Sequence, residues 1–353
     1  EAVYNTDGGS GALEAADFAF SISGGTATLS STTPTSISIS GNVYTLGIGL
    51  SGIANGSETL TVNPVDDGIY DAEGNEAGTA QSNNTATLNE KVLPTISSVS
   101  VVSNNSTISV TMSEAVYNTD GGSGALEAAD FAFSISGGTA TLSSPTPTSI
   151  SISGDVYTLG IGLSGTSNGE TLTVNPVDDG IYDAAGNEAS TTQSNNTVTL
   201  NDVTGPTVTS VSSTTDNGTY GIGDEIAITI TFSETVIVNS DLFEQDGTGR
   251  PRLTLETGSS DQGINYTSGS GGATLTWNYP VASGNISSDL DYKSLALNGG
   301  TIKDATGNDA DLTTLPSPGA SGSLAANKAL VVDGVVPTIY SAAVASNNSY
   351  IDI

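Results

Sequence analysis

The sequence predicts an all-β protein: tandem two-sheet β-sandwiches arranged as an elongated rod. Three observations carry the prediction. A unit of roughly a hundred residues recurs along the chain. Within each unit apolar and polar residues alternate with a period of two. Gly, Ser, Thr and Asn fill the spaces between these runs, while helix formers such as Lys, Arg and Met are scarce.

The first repeat, residues 1–93, opens EAVYNTDGGSGALEAADFAFSISGGTATLSS and runs through NPVDDGIYDAEGNEA. The second, residues 94–205, restates it almost word for word from Glu114 to Ser143, and the equivalent prolines Pro94 and Pro206 set a spacing of 112 residues. A third, diverged copy covers 206–334; Pro337 follows Pro206 by 131, with the excess around Gly247 to Gly272. Residues 335–353 begin a further repeat.

Taken in order, Ile108, Val110 and Met112 alternate with threonine and serine, then Phe131, Phe133 and Ile135, then Tyr157, Leu159, Ile161 and Leu163. In the third copy Ile226, Ile228, Ile230 and Phe232 do the same. Such runs read as half-buried strands. About seven per copy, separated by turn signals such as SGG, SNG, DDG and AGN, describe a sandwich. No helix of three turns is expected, although Ser288 to Leu297 could make one or two turns. The junctions Asn89 to Pro94, Asn201 to Pro206 and Val332 to Pro337 each carry an acid and end in proline, which makes them stiff extended connectors.

Charge and composition narrow the function. The 353 residues hold 38 Asp plus Glu against six Lys plus Arg, a formal net charge of -32. Nucleic acid and anionic membranes need a basic face, so neither is an expected partner. Charge of this size repels itself unless counter-ions bind, and converging carboxylates favour a divalent cation; a merely solvated acidic surface is the other reading. Cysteine and histidine are absent, which excludes disulfides, thiol chemistry and the Ser-His and Cys-His pairs. No catalytic constellation is visible, so no enzyme is expected. No apolar run approaches a membrane span, and no signal segment is visible.

The order Pro94-Thr95-Ile96 with Val99, Ile108 to Val116, Ala129-Asp130-Phe131 and Asp183-Ala184-Ala185-Gly186-Asn187 resembles bacterial immunoglobulin-like and cadherin-like tandem repeats of large surface adhesins and extracellular filaments. The resemblance implies tandem immunoglobulin-like β-sandwiches on the outside of a cell. The third copy departs from it, with Thr235 after Glu234 and the long insertion.

In such a sandwich the loop after the second strand and the loop before the last lie where the chain enters the domain. This places an acidic hexapeptide, recurring at Asp71, Asp183 and Asp304, beside a strand-end Glu and the linker acid. The expected calcium ligands are therefore Glu90, Glu114, Asp183, Asn187 and Glu188 for the second repeat, and Asp202, Glu234, Asp304, Asn308 and Asp309 for the third. Glu1, Asp71, Asn75 and Glu76 are their counterparts in the first. The pairs Asp66-Asp67 and Asp178-Asp179 rank lower, because Gly299-Gly300 stand at that place in the third copy.

The expected function is a structural, calcium-stiffened extracellular stalk or filament. The alternative is an adhesive module that binds glycan or a neighbouring cell through Arg250 to Trp277 of the third repeat, with Trp277 and Tyr279 as candidate sugar platforms. Asn83, Asn105, Asn195, Asn217 and Asn265 open Asn-x-Ser/Thr sequences that suit glycosylation, and Lys293 and Lys303 are candidates for an isopeptide bond. Ile353 aligns with Val110 and Glu1 with Glu114. The chain is thus expected either to be an excerpt of a longer tandem array or to complete the first domain of another copy with residues 335–353.

Overall fold

The computed structural model describes residues 1–239, 249–346, 348–349 and 351–353. Residues 240–248, which include the start of the expected insertion at Gly247, lie outside the described residues. The chain is all-β. Helices among the described residues are single turns, at Ala15–Asp17, Ala128–Asp130, Leu312–Thr314 and Leu324–Asn327. In space it divides into two compact units, Glu1–Asn201 and Asp202–Ile353.

In the second repeat a four-stranded antiparallel sheet runs in the order Ile150–Ser153, Val156–Gly160, Thr107–Met112, Ile96–Val101. A three-stranded sheet, Phe131–Ser136, Thr171–Pro176 and Thr197–Thr199, supplies its second layer. The period of two puts Ile108, Val110 and Met112 from the first sheet against Phe133, Leu172 and Val174 from the second, in one buried core. Ile108 lies opposite Leu159 and Val110 opposite Tyr157. A side chain buried to this degree contributes about 1.5–3 kcal/mol.

The first repeat has the same three-stranded layer, Phe18–Ser23, Thr59–Pro64 and Thr85–Thr87. Its other layer is only the hairpin Ile37–Ser40 with Val43–Leu46. Tyr44 and Leu46 are half-buried, where their equivalents Tyr157 and Leu159 are enclosed.

The third repeat is organised on the fifteen-residue strand Glu225–Asn239. Val208–Ser213 and Gly272–Pro280 flank it, and Thr301–Lys303 pairs with its far end. Gly218–Gly221 runs parallel to Leu330–Asp333 in a second sheet, and Arg252–Leu255 pairs with Gln262–Asn265 and Tyr292–Ala296 in a third. The helical turns expected at Ser288 to Leu297 are replaced by the strand Tyr292–Ala296. Leu290 and Tyr292, two residues apart, are both buried, and pairing with Arg252–Leu255 overrides local propensity.

Candidate metal centre

The hexapeptide folds the same way three times. Oδ1 of Asp183 accepts the N–H groups of Ala185 and Asn187, both at 2.8 Å, and Oδ2 accepts the Asn187 amide at 2.8 Å. Asp304 does this with Thr306, Gly307 and Asn308, and Asp71 with Glu73 and Asn75. Asp suits the place because a short side chain reaches its own following amides and a carboxylate has the second acceptor oxygen that the Asn187 amide meets. Gly is needed at Gly186, with φ +83, because a Cβ there would lie 2.4 Å from the Asp120 carbonyl oxygen.

Asn187 then turns outward to the linker. Its Nδ2 donates to the Glu90 carboxylate and, at 3.4 Å, to the Glu90 carbonyl. Asn308 Nδ2 donates to the Asp202 carbonyl at 3.1 Å. Each linker acid also accepts the amide two residues on: Glu90 from Val92, and Asp202 from Thr204 at 2.9 Å. The turn therefore holds the linker acid beside its own aspartate.

Carboxylates converge as a result. In the third repeat one oxygen each from Asp202, Glu234 and Asp304 lie within 4.8 Å of one another. In the second, the Glu90 and Asp183 carboxyl groups are within hydrogen-bonding reach of each other and act on Glu114 electrostatically. Burial, then the charges of Asp183, Glu90 and Asp155, raise the Glu114 carboxyl. Burial, then the Asp183 carboxyl, raises Glu90. Glu234 is raised by burial, then by Asp202 and Asp304. For Asp183 and Asp304 burial also pushes upward, but the hydrogen bonds of the turn outweigh it and hold both below the ordinary range. Like charges packed this closely call for a proton or a cation between them.

The donor set fits a hard cation: it is entirely oxygen, from carboxylates with main-chain carbonyls adjacent, on three segments far apart in sequence. One difference separates the two groups. Lys91 places its Nζ 3.4 Å from Asn187 Oδ1, so a resident positive charge stands next to the Glu90 group; Val203 occupies that linker position in the third repeat.

The other expected ligands stand apart. Glu188 accepts the N–H of Asp179 at 2.6 Å, and Glu76 that of Asp67 at 2.7 Å, so both serve the neighbouring turn, whose Asp67 and Asp179 are left-handed with φ 58 and 56. Asp309 pairs with Lys303 at 2.7 Å. In the first repeat Glu1 and Asn75 are exposed and Asp71 is half-buried.

Sequence reading missed two residues. Glu58 and Glu170 are fully buried, each ahead of a Thr-Leu-Thr-Val-Asn-Pro strand. Glu170 accepts the N–H groups of Thr139, Ala140 and Asn168 at 2.8, 2.7 and 3.0 Å; Glu58 accepts those of Thr26, Ala27 and Asn55. Each pins a loop to a strand. The signal was present: a Glu recurring just after an Asn-Gly turn.

Several expectations are corrected. Trp277 and Tyr279 are both core, each 0% exposed, with Trp277 Nε1 donating to the Pro251 carbonyl and Tyr279 to Asn285, so neither offers a face to a sugar. Asn105 is 2% exposed and its amide donates to Ser167 and Asn201, which leaves no room for a glycan; Asn83, Asn195, Asn217 and Asn265 are exposed. Lys293 forms exposed ion pairs with Glu256 and Asp261.

No family model matches the sequence, and no curated protein matches it. Among solved structures, the N-terminal part of the bacterial S-layer protein SbsC is similar over 52% of this chain and 44% of that one, at 18% identity and a TM-score of 0.24. Domains 1–6 of surface layer protein SbsC align over 95% of this chain and 52% of that one, at 12% identity and a TM-score of 0.19. The full extracellular region of plexin A4 aligns over 79% and 20%, at 11% identity and a TM-score of 0.16. The chain thus spans less than half the length of the first of these, and superpositions this loose bear on neither fold nor function.

Proposed function

We propose that this chain is a structural, non-enzymatic repeat protein of a bacterial surface: part of an extracellular stalk or filament in which calcium fixes each linker against the repeat that follows it. The supporting observation is recurrence. A linker acid and a hexapeptide Asp come together twice, as Glu90 with Asp183 and as Asp202 with Asp304; Glu234 has an oxygen within 4.8 Å of the second pair, and Glu114 lies close enough to the first to be raised by its charge, although the two repeats differ in length and sequence.

The chain's own part is positioning. Asp183 and Asp304 are oriented by the amides of their turns, Asn187 and Asn308 bring the linker main chain within reach, and proline limits the linker's freedom. A bound divalent ion supplies the positive charge that offsets the three carboxylates. Without it their repulsion opposes the closed linker; with it the linker is held at one angle. Lys91 supplies part of that charge internally at the Glu90 group, which makes the Asp202, Glu234 and Asp304 group the more dependent on the ion.

Calorimetry of the full chain tests the reading. A cation that binds only the folded state raises the melting temperature with its concentration. Calcium is expected to raise it relative to EDTA, and identical melting curves in the two would refute a calcium joint. The adhesive alternative draws no support from Trp277 and Tyr279, which are core.

A further inference from the structure

We propose that the edge strand of the second repeat, Ile150–Ser153, and its counterpart Ile37–Ser40 in the first are docking sites for the same edge of a second copy of this chain, paired antiparallel. The proposal rests on the structural-repeat reading above, to which it adds a lateral partner, and it is independent of the cation.

The hairpin leaves its backbone open on one side. Ile150–Ser153 is the outermost strand of the four-stranded sheet and pairs with Val156–Gly160 alone. The two-residue turn Gly154-Asp155 closes Ser153 on Val156, and Ser149 accepts the Gly160 N–H at 2.9 Å. Bonded positions alternate in an antiparallel pair, so Ser149, Ser151 and Ser153 bond inward while the N–H and C=O groups of Ile150 and Ile152 point outward. Among the described residues none bonds these outward groups. Ile37–Ser40 repeats the arrangement, with Gly41-Asn42 as the turn and Ser36 accepting the Gly47 N–H at 2.9 Å.

The side chains at the edge are open as well. Ile150 and Ile152 stand opposite Leu159 and Tyr157, both core residues, yet Ile152 is 45% exposed and its counterpart Ile39 is 46% exposed. Next to Ile152 a cleft of about 440 Å³ reaches Val116, Leu126 and Tyr157 of the core. A matching cleft of about 360 Å³ in the first repeat is lined by Val3, Leu13, Ile39 and Tyr44. A strand added at either edge, with an apolar residue on this face, would cover the cleft.

Sequence identifies the occupant. Ser149-Ile150-Ser151-Ile152-Ser153 reads the same in both directions, and so does Ser36-Ile37-Ser38-Ile39-Ser40. Two antiparallel copies therefore match about a two-fold axis at Ser151, with Ile150 opposite Ile152 of the second copy and Ile152 opposite its Ile150. Those pairs join the outward bonding groups and set both isoleucines on the cleft face. Charge makes the same choice. With a formal net charge of -32, two copies repel wherever their acids meet. Residues 139–154 and 26–41 contain no Asp, Glu, Lys or Arg, and Asp155 falls beyond the paired residues. A cationic partner has no counterpart along these strands, whereas a like-charged copy can approach them. Natural edges are commonly guarded by a charge, often lysine, and these two carry none.

Ser151 gives the test. It would face Ser151 of the second copy as a non-hydrogen-bonded pair, with Cα atoms about 4.5 Å apart, which a disulfide can span. The native chain has no cysteine, so the full chain carrying Ser151→Cys is oxidised in EDTA and run on a non-reducing gel. A disulfide-linked dimer is expected, Ser38→Cys should give another, and the two together a ladder. Ser134→Cys, exposed on the other sheet, is the collision control. Adding Ile39→Asp and Ile152→Asp is expected to remove the dimer. Their melting temperature checks that the chain still folds; if it falls, Ile39→Thr and Ile152→Thr, which keep a β-branched side chain, replace them with the same expected loss. Dimer no more abundant than in the control, or dimer that survives these changes in a folded chain, would overturn the contact. Calcium-dependent melting without the dimer would keep the calcium joint and remove edge pairing; a dimer in EDTA from a protein whose melting ignores calcium would do the reverse.

Discussion

Asn187 donates from one side-chain nitrogen to two segments at once, reaching Asp183 in its own turn and the Glu90 carbonyl 97 residues away. The turn and the linker are thereby one structure. A hydrogen bond of this kind has a net worth of about 1 kcal/mol, and more where a charged partner is buried. Asn187→Ala is expected to loosen the linker. Hydrogen exchange at Val92 measures this, and unchanged protection there would show that Asn187 does not hold it.

Cation binding should be unequal between the two carboxylate groups. Terbium luminescence on titration of the full chain is expected to report the Asp202, Glu234 and Asp304 group first, since Lys91 stands beside the other. Asp304→Asn is expected to weaken that phase by on the order of tenfold, because affinity of such sites follows the number of charged oxygens. Lys91→Val should strengthen the second phase. Two equal, unresolved phases in every variant would contradict this ranking.

Acid should act in opposite senses with and without the ion. Glu114, Glu90 and Glu234 are raised in the folded state, so the folded chain takes up protons more readily than the unfolded one. Their contribution to stability is present below the ordinary glutamate range and lost as pH rises through their raised values. In EDTA, mild acidification from neutral is therefore expected to raise the melting temperature. In calcium the same step displaces the ion and is expected to lower it. Parallel pH profiles in the two solutions would show that these groups hold no cation.

Stronger acid tests the missed glutamates. The Ala27 N–H first, then those of Thr26 and Asn55, hold the Glu58 carboxyl down from 4.5 to about 2 against the opposing effect of burial. The unfolded chain takes up this proton first, so the stabilisation is complete above 4.5 and fades as pH falls toward 2. Glu58→Gln should flatten the melting profile in that window.

Glu170 gives the corresponding truncation. Glu170→Ala strips the acceptor from three N–H groups, and even one buried donor left unsatisfied costs about 1–3 kcal/mol. A clear drop in the urea midpoint is expected, whereas Glu188→Ala at the exposed Asp179 turn should change it little. Equal midpoints for the two variants would count against the buried clamp.

The strands were legible because a period of two survives inspection: Ile226 to Phe232 alternates, and that face is the core. The hexapeptide was legible because it recurs, and the end of the sandwich where the chain enters is where Asp183 and Asn187 reach Glu90 of the linker. Glu58 and Glu170 were hidden because charge normally marks solvent, and only the fold shows three amides pointing at each. Glu188 was misjudged for a related reason. Sequence places it one residue from Asn187, but Asn187 turns to the linker while the Glu188 carboxylate accepts the Asp179 N–H. Tyr292 was obscured because its partner strand lies about forty residues upstream.

At Glu90 and at Asp202 the neighbouring carboxylates are one incoming linker acid and two residues of the receiving repeat. A gene segment encoding one 112-residue unit can therefore be duplicated or lost by recombination between its near-identical neighbours, and every joint so created has its full set of partners. Length in such a protein is open to variation in steps of one repeat, without any side chain having to be relearned.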